Sequence, residues 1–331
     1  MAKVLIIGGA GYVGSAINSY LIDHHHYTWV LDNFSTGHHE LVLGNGLTTC
    51  DAGDYNFVSK LLSTQKFDCV MHFAAKSIVS ESVKNPELYF ENNVAQTERL
   101  LKAITNAGVK HFIFSSTCAI FGDPGLSCIS ESTPKKPINP YGESKLQAER
   151  IIENFCKTKG LNAVCLRYFN AAGADPVTRV GEWHTNETHL IPRIFHACNT
   201  DKNASVFGKD YPTKDGTCIR DYIHVHDLAQ AHMTAMNSLI SSNQTHQFKT
   251  YNIGSESGYS VLEVISEIER SSNTKFNILY LERREGDPSL LVADSTLAKK
   301  ELGFKINFNL KSIIQTAWKW EEKLLKIKNE K

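Results

Sequence analysis

The sequence predicts an α/β chain built on a doubly wound parallel sheet, with a smaller, discontinuous α/β lobe in its C-terminal half. Three observations carry that reading. Short apolar runs alternate with amphipathic stretches through the first 170 or so residues, the pattern of strands buried on both faces and the helices that cover them. Gly8, Gly11 and Gly14 stand at a spacing of three between the first apolar run and the first amphipathic stretch. Polar residues (Asp32, Asp51, Ser115, Ser116, Thr117 and Asn170) fall at the carboxyl ends of successive strand candidates, where a doubly wound sheet collects its ligands.

Taken in order, 4–7 is an unbroken apolar run and the first strand. The glycines then allow a sharp turn, a close backbone approach to a pyrophosphate, and close packing of helix on strand. The helix running on toward Leu21 leaves unpaired N–H groups aimed at that loop. The next strand, 26–31, ends in Asp32, about 20 residues past the glycines. A carboxylate there accepts from adenosine ribose hydroxyls and repels a 2′-phosphate, so the expected cofactor is NAD and the domain Rossmann-type. A polar loop over 35–46, a short strand ending at Asp51 and a helix near 55–63 come next. The strand 69–73 opens into Ala74 and Ala75, small enough for a ligand to lie against backbone. A single long amphipathic helix is expected over 86–107, a strand at 111–114, a helix from Pro140, and a strand at 163–168 leading to Phe169 and Asn170. Beyond Ala171 the punctuation changes, and 222–225 reads as a strand returning to the main sheet, followed by a helix that Asp227 caps.

Composition narrows the function classes. The chain has 331 residues, 42% of them apolar, and a formal net charge of zero with no basic stripe, which argues against nucleic acid as a partner. No run is long enough to span a membrane and no signal peptide is seen, so neither a membrane nor secretion is expected. Eight scattered cysteines without a CxxC pair read as core residues in a reducing cytoplasm. The His24-His25-His26 tract falls at a helix end, where cations suit the dipole, and no metal is expected.

The chemistry centres on 139–145. Asn139 caps a helix, Pro140 fits its first turn, and Tyr141 and Lys145, four apart, share a face. A phenol ordinarily titrates at about 10, and bringing it to neutral pH takes about 4 kcal/mol of preferential stabilisation. An adjacent ammonium and an oxidised nicotinamide are the expected sources. A hydroxyl at Thr117 can relay a proton from a substrate alcohol to Tyr141.

With their GxxGxxG loop, these residues resemble the extended short-chain dehydrogenase/reductase superfamily. The match narrows through 72–75 (HFAA), 115–117 (SST), YxxxK, 167–173 (RYFNAAG), 208–217 and 220–225 (RDYIHV) to the UDP-glucose 4-epimerase family, over residue 3 to about 318. The resemblance implies an NAD-binding domain over 1–172, to which 219–240 returns, and a UDP-sugar-binding lobe over 173–331. It implies catalysis by Tyr141, Lys145 and Thr117. NAD would be held by Gly8, Gly11, Tyr12, Val13, Gly14, Asp32, Asn33, Asp51, Ala52, Phe73, Ala74, Ala75, Asn92, Ser115, Tyr141, Lys145, Tyr168 and Phe169. A UDP-hexose would meet Thr117, Tyr141, Asn170, His189, Leu190, Phe207, Arg220, Tyr222, Arg284, Asp287 and Leu291. Two guanidiniums suit a diphosphate and Asp287 a ribose hydroxyl, against an alternative in which Arg284 pairs with Glu285 on the surface.

The implied reaction interconverts UDP-galactose and UDP-glucose through a 4-keto sugar that turns and takes its hydride back, in a homodimer contacting through 86–107 and 141–158. Three rivals stand beside it: a 4-epimerase of UDP-N-acetylhexosamines, which a medium-sized Leu291 leaves open, a nucleotide-sugar dehydratase or decarboxylase, and an inactive NAD-binding sensor. Dehydratases of this kind place an Asp-Glu pair after the active-site Thr, where this chain has Cys118-Ala119.

Overall fold

The computed structural model describes every residue except Asn45, Asp201, Asn243, Glu285, Gly286 and Lys331. Its main sheet contains β1 (Lys3–Ile7), β2 (Tyr27–Asp32), β3 (Gly46–Thr49), β4 (Cys69–His72), β5 (His111–Thr117), β6 (Asn162–Tyr168) and a late strand, β10 (Phe248–Ile253). All pair in parallel in the order β10-β6-β5-β4-β1-β2-β3. The order reverses at β1, which opens the ligand crevice between β1 and β4.

Alternation along β1 explains both faces. Val4 and Ile6 face a layer made by α1 (Tyr12–Asp23) and α8 (Val225–Ser241), through Ile17, Leu21, Leu228 and Met236. Leu5 and Ile7 face the opposite layer, formed by α2 (Tyr55–Gln65), α5 (Gln96–Asn106) and α6 (Pro140–Lys159), through Leu62, Leu101, Ile104 and Ile152. Each such side chain, fully buried, contributes about 1.5–3 kcal/mol of transfer free energy.

The remaining strands build the second lobe. β7 (Asn170–Ala172), β9 (Ile219–His224), β11 (Gly258–Ser260) and β13 (Leu290–Leu291) form a sheet centred on β9, while β8 (Asn203–Phe207) pairs with β12 (Asn277–Leu281). Helices α7 (Leu190–Cys198), α9 (Val261–Ser272) and α11 (Leu310–Asn329) enclose a separate core with Ile194, Phe195, Ile268 and Ile314. A short helix, α10 (Thr296–Leu302), packs on α8 and β10.

Three sequence expectations are corrected. The helix expected over 86–107 is preceded by α3 (Val79–Lys84) and split into α4 (Pro86–Phe90), a π-helical turn at Glu91–Ala95, and α5. That turn aims Asn93 at Lys76, accepting from its N–H (2.9 Å) and donating to its carbonyl (2.9 Å), while its amide also reaches Ser144 of α6 (3.0 Å). Of 219–240, only the helix joins the main domain: β9 heads the second sheet, and β10 supplies the seventh main-sheet strand. α8 is capped by His224, whose Nδ1 accepts from the N–H of His226 (3.0 Å), while Asp227 lies buried and holds 307–308 instead.

Candidate functional site

The glycine loop divides its demands between protein and ligand. Gly8 has φ +79°, and a Cβ there would lie 2.4 Å from the backbone nitrogen of Ala74. A Cβ on Gly14 would lie 2.2 Å from the carbonyl oxygen of Gly8. Gly11 differs: an added Cβ meets only Gly8 O, at an ordinary 3.5 Å, and φ is −86°. No protein atom demands glycine at 11, so the open space belongs to something that approaches the backbone closely. Gly11 is also the N-cap of α1 and offers no side-chain cap, leaving the helix N–H groups of Tyr12 and Val13 for an anion. Asp32 ends β2 with one carboxylate oxygen on the N–H of Ala10 (2.9 Å) and the other on that of Phe34 (2.8 Å). Asn33 donates to Asp51 (3.0 Å), which precedes the buried Ala52. Phe73, Ala74 and Ala75 leave β4 across the crevice, half-buried, and Asn92 lies on the π-helical turn. The donor set and the space fit NAD.

β5 and β6 deliver the reacting groups. Thr117 ends β5, its hydroxyl accepting from the N–H of Ala119 (3.1 Å) and lying beside Tyr141 in the first turn of α6. Asn139 caps that helix by accepting from Gly142 N–H (2.8 Å). Lys145 is buried one turn on, its ammonium 4.1 Å from the centroid of Phe114. Ser115 and Tyr168 share a short hydrogen bond across β5 and β6. Beneath them Glu149 takes Arg167 in a buried two-point pair (2.9 and 2.6 Å) and the hydroxyl of Ser116 (2.6 Å), fixing α6 against both strands.

The electrostatics run against the sequence expectation. Burial pushes the Tyr141 phenol up to about 12, outweighing the hydrogen bond from Thr117. Burial also drives the Lys145 ammonium down to about 7, against the attraction of Cys165 and Glu149. The Tyr–Lys pair alone therefore favours neutral forms of both groups. A phenolate there requires further positive charge, which an oxidised nicotinamide carries.

The chain leaves the main sheet at Phe169 and enters the second at Asn170, which lies opposite Tyr222. Leu291, across from Arg220, packs with Phe169, Cys118 and Leu146 on the side of Thr117. Arg220 pairs closely with Asp287, so that carboxylate is not free, and Arg284 lies 4.0 Å from the ring of Phe207. Glu285, the alternative partner for Arg284, lies outside the described residues. Leu190 begins α7. His189 is only in part where it was expected: it is the N-cap of α7, but its ring is taken up by Glu182. The structure also gathers Glu182, His184, Glu187 and His189 into one group, where sequence reading found no metal-ligand spacing.

One residue escaped the sequence reading altogether. Arg193, one turn beyond Leu190, places its guanidinium 5.8 Å from the Phe207 ring, and its side chain makes no hydrogen bond or ion pair among the described residues. It also lines a cavity of about 470 Å³ with Glu187 and His196. Its only sequence signal was the i, i+3 relation to Leu190.

Residues 4–254 match the NAD dependent epimerase/dehydratase family. The UDP-glucose 4-epimerase of Rhizobium meliloti is 43% identical over 322 residues, 97% of each chain. Among solved structures, UDP-glucose 4-epimerase from Brucella ovis in complex with NAD superposes with a TM-score of 0.92 at 40% identity, covering 96% of this chain and 98% of that one. The enzyme from Bifidobacterium longum, in complex with NAD+ and UDP, gives 0.90 at 31% identity, covering 97% and 98%. The chain therefore belongs to the NAD dependent epimerase/dehydratase family, in its UDP-glucose 4-epimerase branch.

Proposed function

We propose that this chain interconverts UDP-galactose and UDP-glucose by transient oxidation at C4 of the hexose, with NAD held at the glycine loop. NAD, when bound there, supplies a hydride acceptor that becomes the donor again within the same turnover. Gly11, the open N-terminus of α1 and Asp32 hold its pyrophosphate and adenosine ribose. Tyr141 carries the proton of the sugar 4-hydroxyl, with Thr117 as its hydrogen-bonding relay, and Lys145 stands behind it to favour the charged phenol.

The second lobe grips the nucleotide, not the sugar. Arg193 and Arg284 bring two guanidiniums to the ring of Phe207, beside the Arg220–Asp287 pair, and such cations suit a diphosphate. A hexose tethered only through that diphosphate is free to turn beside Tyr141 and Thr117, so binding energy is spent away from the reacting carbon. The single observation that carries the reading is the juxtaposition of buried Thr117 with half-buried Tyr141, and of buried Lys145 one turn on, at the carboxyl end of the sheet beside the crevice.

Dehydration is disfavoured by the same geometry. Cys118, in the place of an acidic residue, is buried and its thiol is pushed up to about 12, so it serves as neither acid nor base. A cytoplasmic setting agrees with eight unpaired cysteines. Among the described residues no helix is long and apolar enough to cross a membrane. A homodimer agrees with the exposed Val79, Val83 and Leu88 on α3 and α4. Incubation of the purified protein with UDP-galactose is expected to yield UDP-glucose. Tyr141→Phe is expected to lower kcat by about 10²–10⁴-fold with KM little changed. Undiminished turnover by that variant would refute the mechanism, and comparing plain with N-acetylated UDP-hexoses fixes the substrate range.

A further inference from the structure

We infer that the loop before α7 binds one divalent transition-metal ion of the zinc class through Glu182, His184, Glu187 and His189. The ligand atoms of these four side chains lie within 4.8 Å of one another, all from one eight-residue segment. The Nδ1 of His184 is 3.2 Å from Glu187 Oε2 and 3.4 Å from Glu182 Oε1. Zinc bonds of about 2.0–2.2 Å in tetrahedral geometry set neighbouring ligand atoms about 3.3–3.5 Å apart, so these two spacings suit a shared ion, while the closer contact of His189 with Glu182 opens to admit it. His189 also turns its Nδ1 onto Glu182, so two imidazoles converge on one carboxylate.

The donors are held from behind, which distinguishes them from a chance surface cluster. Glu187 accepts from the N–H groups of Thr188 (2.8 Å) and His189 (2.7 Å) through Oε1, which turns Oε2 toward His184 Nδ1 (3.2 Å) and the proposed ion position. Glu182 is 9% exposed at its side chain, and its carbonyl accepts from the indole of Trp320 (2.8 Å). The ring of His184 stands edge-on to Tyr12. Once the two imidazoles give up their protons to bind metal, the four ligands carry a charge of −2, which a divalent ion cancels. Two nitrogens and two oxygens select the zinc, cobalt or nickel class over magnesium or calcium. His184 is 32% and His189 54% exposed at the side chain, so the ion has a path in from solvent.

The test uses tag-free holoenzyme freed of metal by a chelator, carrying His24→Asn, His25→Asn and His26→Asn so that the other imidazole tract cannot contribute. Titration calorimetry with zinc chloride is expected to saturate at one ion per chain, with magnesium chloride giving no binding heat. Cobalt chloride is expected to give the intense visible band of a four-coordinate ion. Glu187→Gln and His184→Asn are each expected to weaken zinc binding at least tenfold, with folding checked by circular dichroism. No saturable zinc binding, or binding that both variants leave within twofold, would overturn the inference. If His184→Asn fails to fold, a weak six-coordinate cobalt spectrum from the parent protein overturns it equally.

Discussion

Arg193→Ala is the sharpest probe of how the nucleotide is held. The side chain has no hydrogen bond or ion pair among the described residues, so its loss breaks no internal contact beyond the one with Phe207. With Arg220 engaged by Asp287, Arg193 and Arg284 are the two guanidiniums left for a diphosphate. A guanidinium about 7 Å from one phosphate charge contributes about 1–2 kcal/mol at an effective dielectric of about 20–40. Losing its place over Phe207 costs about 0.5 kcal/mol more at a half-exposed site. The sum corresponds to a rise of about 10–50-fold in the KM for UDP-galactose, with kcat within about twofold because nothing touches the reacting carbon. Calorimetry should show the same loss for UDP and a smaller one for uridine. Arg193→Lys should recover part of the affinity, and salt should weaken the parent more than the alanine variant. A KM within twofold of the parent would show that the third guanidinium serves something other than the nucleotide.

Two other perturbations separate structural from chemical roles. Lys145 titrates at about 7 when folded and, as an ordinary lysine, at about 10.4 when unfolded. Between those values the unfolded chain binds the extra proton, so unfolding free energy rises with pH from about 7 to about 10. Lys145→Met should flatten that rise in urea denaturation series, and parallel pH profiles for the two proteins would show that the ammonium keeps its ordinary affinity. In the glycine loop, Gly14→Ala drives a Cβ to 2.2 Å from Gly8 O and should cost folding itself. Gly11→Ala meets no protein atom closer than 3.5 Å, so it should leave the thermal midpoint of NAD-free protein nearly unchanged while retained NAD falls at least tenfold. Equal NAD content in the Gly11 variant and the parent would remove the ligand-approach argument.

The sequence was most legible where one residue's requirement is local. The strands at 4–7 and 69–72 are fully buried because both faces are covered, and the spacing of Gly14 from Gly8 reports a backbone clash between near neighbours in the chain. The residues at strand ends followed from topology alone. What failed needed partners distant in sequence. The π-helical turn at Glu91–Ala95 is invisible to helical periodicity, since it is fixed by Asn93 reaching Lys76 and Ser144. β9 reads as a main-sheet strand because its last four residues are buried as those of the main sheet are, and its pairing with Asn170–Ala172 shows otherwise. Tyr141 illustrates a subtler limit: the helical spacing to Lys145 was legible, but not the desolvation that opposes the charged forms of both groups and leaves more of the phenolate's stabilisation to the nicotinamide.

The segment 220–225, which the sequence could offer only as a resemblance, acquires a physical reading residue by residue. Arg220 pairs with Asp287 and Tyr222 lies opposite Asn170. Asp221 is fully buried and accepts from the N–H and hydroxyl of Ser255 (2.7 Å each), the N–H of Glu256 (3.0 Å) and that of Ala293 (3.1 Å). One carboxylate thus ties the loop after β10 and the strand bearing Leu291 to β9. Burial raises its pKa and these donors oppose the rise, as a buried acid needs if it is to be tolerated. His224 caps α8 through Nδ1 and meets Thr316 of α11 through Nε2 (2.9 Å). Alternate residues of one strand therefore serve two ends: Arg220 and Tyr222 face the proposed nucleotide side, while Asp221 holds together three chain segments far apart in sequence. A domain that must grip one half of its ligand and release the other can be rigid only where it grips. The buried hydrogen bonds of Asp221, next to Arg220 in β9, put that rigidity on the side proposed for the nucleotide.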